Sequence, residues 1–408
     1  MTMTAHDVPL RRFPAVFMRG GTSNALVFQP GDLPADAAER DAVFLAALGS
    51  PDPGKRQLDG MGGGMSSLSK ACIVSVSNRP DADIDYTFAQ IPVNGLQVDY
   101  SANCGNMSSA IGPFAVEEGL VRVDGGEAVV RIFNTNTNKV IVSRFAVADG
   151  LPVIDGDFVN PGVAGAGAPI RLDFVQPGGA ATGKLLPTGA TRDVLEHPDL
   201  PGPVTVSVVD ATNAGVFVDA ECLGVSASIT PDAMEADPTL MKRLDLIRRL
   251  AAVKSGMAPD IAAAARIPGN PKVALVGPPM DYPLTSGESV KAADCNILVR
   301  MVSMGQAHRA IPLTGALCTA TAAGIDGTIV HAHARPAASK KADTTVAIGH
   351  ASGILPAVAD VERSADGTWT AHSAGVFRTA RRLMEGNVTV SAARVADLLE
   401  RSRAEAAT

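Results

Sequence analysis

Short apolar runs broken by polar turns dominate the chain, and their period favours strands. Such runs occupy residues 15–18, 25–28, 71–75, 97–100, 129–133, 140–147, 204–209, 216–218 and 273–276. Forty Gly and 28 Pro punctuate them, which predicts a sheet-rich fold with frequent turns. Helical periodicity is clearest at 36–48, 238–255 and 391–407; in the last, Ser391 stands at the N-cap and Val395, Leu398 and Leu399 share one face.

Two segments depart from this pattern in the same way. SANCGNMSSAIGPFAVEEG (101–119) and AIPLTGALCTATAAGIDG (310–327) each set a turn before a helix of small apolar residues that ends near a Gly. Helices apolar on every face belong in domain centres. Their spacing of about 210 residues suggests two similar halves, each a sheet around one buried helix. A chain of 408 residues exceeds the usual single core, which agrees with two domains.

Composition narrows the function. With 46% hydrophobic and 19% charged residues the chain is an ordinary globular one rather than a disordered one. A net charge of −7 and only 4% aromatic residues leave neither the electrostatic footprint nor the stacking platforms of a nucleic-acid binder. No window reaches 18 consecutive apolar residues, so no membrane span is expected. Five cysteines without a CxxC pair, and an N-terminus (MTMTAHDVPLRR) without an apolar signal segment, point to a reducing, cytoplasmic compartment.

Candidate chemistry concentrates in three Gly-rich segments, MRGGTSNALVF (18–28), DGMGGGMSSLSKACIVSV (59–76) and VDYSANCGNMSSAIGPFA (98–115). Turns of this kind aim backbone N–H groups at an anion. Cys104 lies among Asn103, Gly105 and Asn106 at a helix start, where the dipole favours thiolate and binds carboxylate. A buried structural cysteine is the alternative, and Cys318, inside an apolar helix, is read that way. Lys70 carries its ammonium from a Gly, Ser and Met loop into an apolar strand, a setting that suits a general base, although a solvated strand-end lysine fits equally. Arg19, with Thr22 and Ser23, suits a carboxylate clamp, and Met65, Ser66 and Ser67 flank the lysine. From the other half, His308 with Arg309, and Thr314, Gly315 and Ala316 at the second helix start, offer a matching anion contact.

Three motifs mislead. GGAATGK (178–184) resembles a phosphate loop, but Leu185 replaces the metal-binding hydroxyl and no helix is expected to follow. HAHAR (331–335) puts two histidines on one face of an expected strand end without completing a zinc site. No G-x-S-x-G elbow appears.

Taken together, RGGTSN (19–24), DGMGGGMSSLSK (59–70), SANCGNMSSAIGPFAVEEGLV (101–121), ATGKLLPTG (181–189), SMGQAH (303–308) and GHASG (349–353) strongly resemble the PrpF family over residues 13–388. That family includes 2-methylaconitate cis-trans isomerase, methylitaconate isomerase and 4-oxalomesaconate tautomerase, and shares the diaminopimelate epimerase fold. The resemblance implies an α+β protein of two similar domains, each a curled, mostly antiparallel sheet around a central helix, with the active site in the cleft between them. The expected bounds are 1–187, completed by 376–408, and 188–375. The resemblance also implies that Lys70 and Cys104 are catalytic and that Lys184, in the ATGK motif, joins the substrate contacts. Asn24 stands where many members have Lys, and Pro312 where the epimerases have a second cysteine.

The implied activity is a cofactor-independent 1,3-proton shift in a small unsaturated polycarboxylate, of the 2-methylaconitate or aconitate type. Oxalomesaconate tautomerisation, or polycarboxylate binding without catalysis, are the alternatives. No metal, nucleic acid or membrane partner is expected, and a homodimer is compatible with the reading.

Overall fold

Apolar residues at every second position give strands one buried face, and the helical segments carry theirs at the spacing of a turn. In the computed structural model, which describes residues 10–100, 103–160, 162–334 and 345–406, the strand Glu127–Asn134 shows the first case: Ala128, Val130, Ile132 and Asn134 are buried and the residues between them are more exposed.

The chain divides into two compact units, 1–172 with 378–408, and 173–377. The first contains β1 (Leu10–Gly20), β2 (Ser23–Phe28), α1 (Ala37–Leu48), β3 (Lys70–Val76), β4 (Ile84–Gln90), α2 (Gly105–Glu117), β5 (Glu127–Asn134) and β6 (Lys139–Ala148). Neighbouring strands pair antiparallel, parallel, antiparallel, parallel and antiparallel in that order.

The second unit repeats the scheme with β7 (Val204–Ala211), β8 (Asn213–Asp219), α3 (Pro238–Lys254), β9 (Lys272–Gly277), β10 (Ile297–Ser303), α4 (Leu313–Ala323), β11 (Thr345–His350) and β12 (Gly353–Arg363). Its pairings alternate in the same sequence. Two strands, a helix, two strands, a second helix and two more strands therefore occur twice. With the strands aligned, SNALVF (23–28) and NAGVFV (213–218) fall at the same place, Leu26 lying beside Ala71 as Val216 lies beside Val273. β13 (Trp369–Arg378) extends the second sheet beside β12. β14 (Ala380–Ser391) then returns to pair with β1 along its whole length, and α5 (Ala392–Ala406) ends the fold.

In the first unit α1 and α5 cover one face of the sheet: Val43, Phe44, Leu45 and Leu48 pack with Leu26, Phe28, Ala71, Val390, Val395 and Leu398 in one apolar cluster. Asp36 caps α1 through the amide of Glu39 (2.8 Å). The central helix α2 is buried from Met107 to Val116 and touches β1, β2, β5, β6 and β14, strands drawn from both ends of the sheet, which curls around it. In the second unit α4 is buried from Gly315 to Ala323 and touches β7, β8, β11 and β12. There α3 sets Leu240, Leu244, Ile247 and Ala251 against Val216, Val218, Val273 and Leu275.

The structure differs from the sequence reading in four places. The segment 178–186 lies in the second unit because Asp210, on β7, accepts the amides of Ala181 and Thr182 and the Thr182 hydroxyl, at 2.7–2.8 Å. The unit boundary thus falls at 172/173 rather than 187/188, and the return at 377/378 rather than 375/376. Residues 97–100 make only an isolated bridge, Gln90 with Asp99; Tyr100 is held instead by its hydroxyl on Asp41 (2.5 Å) and its carbonyl under the Asn136 amide (2.8 Å). The histidine pair sits on a short helix, Ile329–His333, because Thr328 caps it through the His331 amide (3.0 Å); Arg335 lies outside the described residues. His331 and His333 each face a single carboxylate, Asp326 and Asp219.

Candidate active site

Lys70 opens β3 at the end of a loop that its own polar groups hold in shape. Gln57 is buried, and its amide nitrogen donates to the hydroxyls of Ser50 (2.9 Å) and Ser69 (2.7 Å) while its carbonyl accepts from Gly64 N (2.9 Å). Gly64 has φ +73°, and a Cβ there would lie 2.2 Å from the Lys55 carbonyl, so no other residue fits that turn without displacement.

The Lys70 ammonium is buried, with only 6% of the residue exposed. Its Nζ donates to Gln90 Oε1 at 2.5 Å and lies 5.1 Å from the centre of the Phe88 ring. Gln90 cannot turn round, because its Nε2 donates to the carbonyls of Ser66 (3.0 Å) and Ser69 (2.9 Å) and leaves Oε1 as the acceptor. The lysine is therefore held in one place by a neutral partner on an apolar wall.

Cys104 is the N-cap of α2, in extended conformation, and its side chain does not cap the helix. Ser108 ties down this turn, its amide and hydroxyl both donating to the Cys104 carbonyl (2.9 and 3.1 Å). The amides of Gly105, Asn106 and Met107 have no partner within the helix and carry its positive end. Cys72, two residues along β3 from Lys70 and on the same face, joins the lysine to this turn. Burial first, then the neighbouring Cys104, drives the Cys72 thiol far above its usual range, while Lys70 opposes the shift. Tyr86 hydrogen-bonds Cys72 (3.9 Å) and Ser108, and burial followed by Cys72 and Cys104 raises its phenol likewise. Lys70 and Cys104 thus share a neighbourhood of neutral, buried groups.

The β1–β2 turn closes on the same helix end. A Cβ on Gly20 would come within 2.6 Å of the Asn106 carbonyl, and one on Gly21 (φ +51°) within 2.3 Å of Asn106 Oδ1. Asn106 Nδ2 donates to Thr22 Oγ1 (3.1 Å), and its Oδ1 accepts from Arg378 Nε (3.3 Å). Arg378 is 7% exposed, and burial lowers its pKa to about 10. A buried guanidinium beside a helix N-terminus is a ready carboxylate partner. The sequence reading missed it, since an arginine at the end of a strand carries no local signal.

Arg19 uses Nη1 on the carbonyls of Gly21 (3.0 Å) and Thr379 (2.9 Å) and on the Thr379 hydroxyl (3.0 Å), bracing the turn; desolvation, then Arg381, lowers its pKa. Ser23 is buried, Thr22 exposed, and Asn103 and Gly105 half-buried. Met65 and Ser66 are exposed and Ser67 half-buried in a single 3-10 turn before Lys70.

The remaining candidates belong to the second unit. Lys184 is exposed on the loop that Asp210 organises. His308 is half-buried and Thr314 precedes the buried Gly315 and Ala316 at the start of α4, whose N-cap is Pro312. Thr212, at φ +60°, a conformation rare for a β-branched residue, makes the β7–β8 turn; its hydroxyl donates to the carbonyls of Ala211 (2.6 Å) and Thr314 (3.1 Å). Cys318 is buried with its thiol 3.3 Å from the Val209 carbonyl, which makes it a packing residue.

The fold is thus α+β with two like halves, and the first half brings a buried lysine into the neighbourhood of a thiol at a helix start. The chain belongs to the PrpF family, whose model, described as PrpF protein, matches residues 10–391. It is 40% identical to the 3-methylitaconate isomerase of Eubacterium barkeri over 386 residues, 94% of this chain and 98% of that one. It is 39% identical over 394 residues to the 2-methyl-aconitate isomerase of Cupriavidus necator, again 94% and 98% of the two chains. The solved structure of a methylitaconate-delta-isomerase superposes with a TM-score of 0.87 at 40% identity, covering 95% of this chain and 97% of that chain. The protein is an isomerase. Among the described residues no helix is long and apolar enough to cross a membrane.

Proposed function

We propose that the protein shifts a carbon–carbon double bond in a small unsaturated polycarboxylate of the 2-methylaconitate or aconitate type, by proton transfer alone. The observation that carries this reading is Lys70, buried, fixed on Gln90 Oε1 and sharing its surroundings with Cys104. In its amine form Lys70 takes a proton from the carbon next to the double bond. The C–H electron pair moves into the conjugated carboxylate, and a proton delivered to the far allylic carbon, by the Lys70 ammonium or by the Cys104 thiol, completes the shift. Charge that develops on the carboxylate meets the amides of Gly105, Asn106 and Met107 and the guanidinium of Arg378. No hydride, phosphate or metal enters this sequence. The five free thiols fit a cytoplasmic setting.

The test is an absorbance and NMR assay of the purified chain with 2-methylaconitate, trans-aconitate, 3-methylitaconate and oxalomesaconate. Turnover of 2-methylaconitate or aconitate is expected to be fastest. Turnover of oxalomesaconate alone would reassign the substrate, and binding without turnover would remove the mechanism.

A further inference from the structure

The repeat places a second lysine where the first unit has Lys70. Lys272 is the first residue of β9, as Lys70 is of β3, and each of these strands follows the first large helix of its unit and pairs parallel to the strand before it. Val273 pairs with Val302 and Val302 with Ala307, so Lys272, one residue before this row, and His308, one residue after it, lie on the same face of the sheet. The Lys272 Nζ is held by neutral acceptors, Asn213 Oδ1 at 3.0 Å and the Gly269 carbonyl at 3.5 Å. An ammonium has three donors, and a buried one is costly without an anion. Desolvation lowers the Lys272 pKa, and burial first, then Lys272, lowers that of His308.

His308 follows the hairpin that sets Ala307 opposite Val302, and its amide donates to the Met301 carbonyl at 2.8 Å. Its Nε2 is buried without a hydrogen-bond partner among the described residues, and the residue lines a cavity of about 460 Å³ with Glu235, Gln306 and Arg309. The nearby acids are already committed. Glu235 accepts the Ala307 amide and pairs with Arg309, which also holds Asp232. A half-buried cation with neutral partners and an unsatisfied imidazole nitrogen therefore share one face of the sheet.

We propose that Lys272 and His308 form a carboxylate-binding subsite of the second unit, the counterpart of the Lys70 neighbourhood turned from proton transfer to anchoring. The change of task follows from Pro312, which stands at the N-cap of α4 where Cys104 stands at that of α2, so the second helix start carries no thiol and Cys318 lies buried inside the helix. The inference rests on the polycarboxylate reading above.

The test uses the full chain with Lys272 changed to Met, Gln or Arg, and propane-1,2,3-tricarboxylate as an unreactive probe. Calorimetry is expected to show affinity for the probe about 10- to 100-fold weaker in Lys272→Met and Lys272→Gln, the loss of one charge-assisted contact, with most of it regained in Lys272→Arg. Probe affinity within twofold of the unaltered chain in whichever of the Met and Gln variants folds would overturn the subsite and leave Lys272 structural. Failure of the unaltered chain to bind the probe or turn over any polycarboxylate would instead sink the functional reading itself.

Discussion

The two central helices begin in contrasting ways although the strands around them repeat. α2 starts at Cys104-Gly105-Asn106, packed against a Gly-Gly turn that lets the backbones approach; α4 starts at Pro312-Leu313-Thr314, packed against Thr212 in a left-handed conformation. Each unit keeps a buried or half-buried lysine at the head of its third strand, donating to a side-chain amide oxygen, Gln90 or Asn213, but only the first sets a thiol at the N-cap of its central helix. The repeat thus places a lysine at the same point of both units.

The largest expected effect breaks the first site. Lys70→Ala should lower kcat by about 10³-fold or more, the upper range for loss of a general base, with an unchanged thermal midpoint showing that the fold survives. Activity near that of the unaltered enzyme would remove Lys70 from the mechanism. Cys104→Ser should cost less, about 10²-fold, because the helix end still binds the anion and only the proton carrier changes. An effect on KM alone would make Cys104 a binding residue.

Packing sharpens the comparison next. A Cβ on Gly112 of α2 would lie 2.6 Å from Ser143 Oγ and 2.9 Å from the Phe145 ring, whereas one on Gly315 of α4 would meet the Met301 sulfur at 2.4 Å. Thioether side chains move aside more readily than a strand-borne hydroxyl and ring. Gly112→Ala should therefore destabilise by about 1–3 kcal/mol and Gly315→Ala by less, as read from denaturant midpoints. The reverse order would show that Met301 is the more tightly held.

The smallest effect concerns pH. The folded-state pKa of His308 lies below its ordinary value, so the unfolded chain binds more protons as pH falls beneath that value. This contribution to stability is present above about pH 6.5 and is lost as pH falls through the depressed folded pKa. His308→Gln should flatten the decline in thermal midpoint on acidification; an unaltered slope would assign the decline to other groups.

Lys70, Cys104, Asn106 and Thr22 were legible because Gly-rich turns and a helix start are local patterns, and the chain folds them into one unit. Arg378 was not, since its meaning depends on where strand β13 ends relative to a helix more than 250 residues earlier. Lys272 was hidden for a related reason: NPKVALVG reads as an ordinary strand until the repeat aligns it with SKACIVSV. The histidine pair misled because a single capping threonine, Thr328, decides between strand and helix there.

The pairing of β1 with β14 also sets an order of assembly during synthesis. Leu10 to Gly20 leave the ribosome well before their partner, Ala380 to Ser391, is made. The second unit is continuous from 173 to 377 and can close while the first still lacks an edge strand, reversing the usual N-terminal-first sequence. Chains stalled at increasing lengths and pulsed with protease should gain protection in 173–377 before 10–172. Simultaneous protection would mean that the first unit holds together without its last strand.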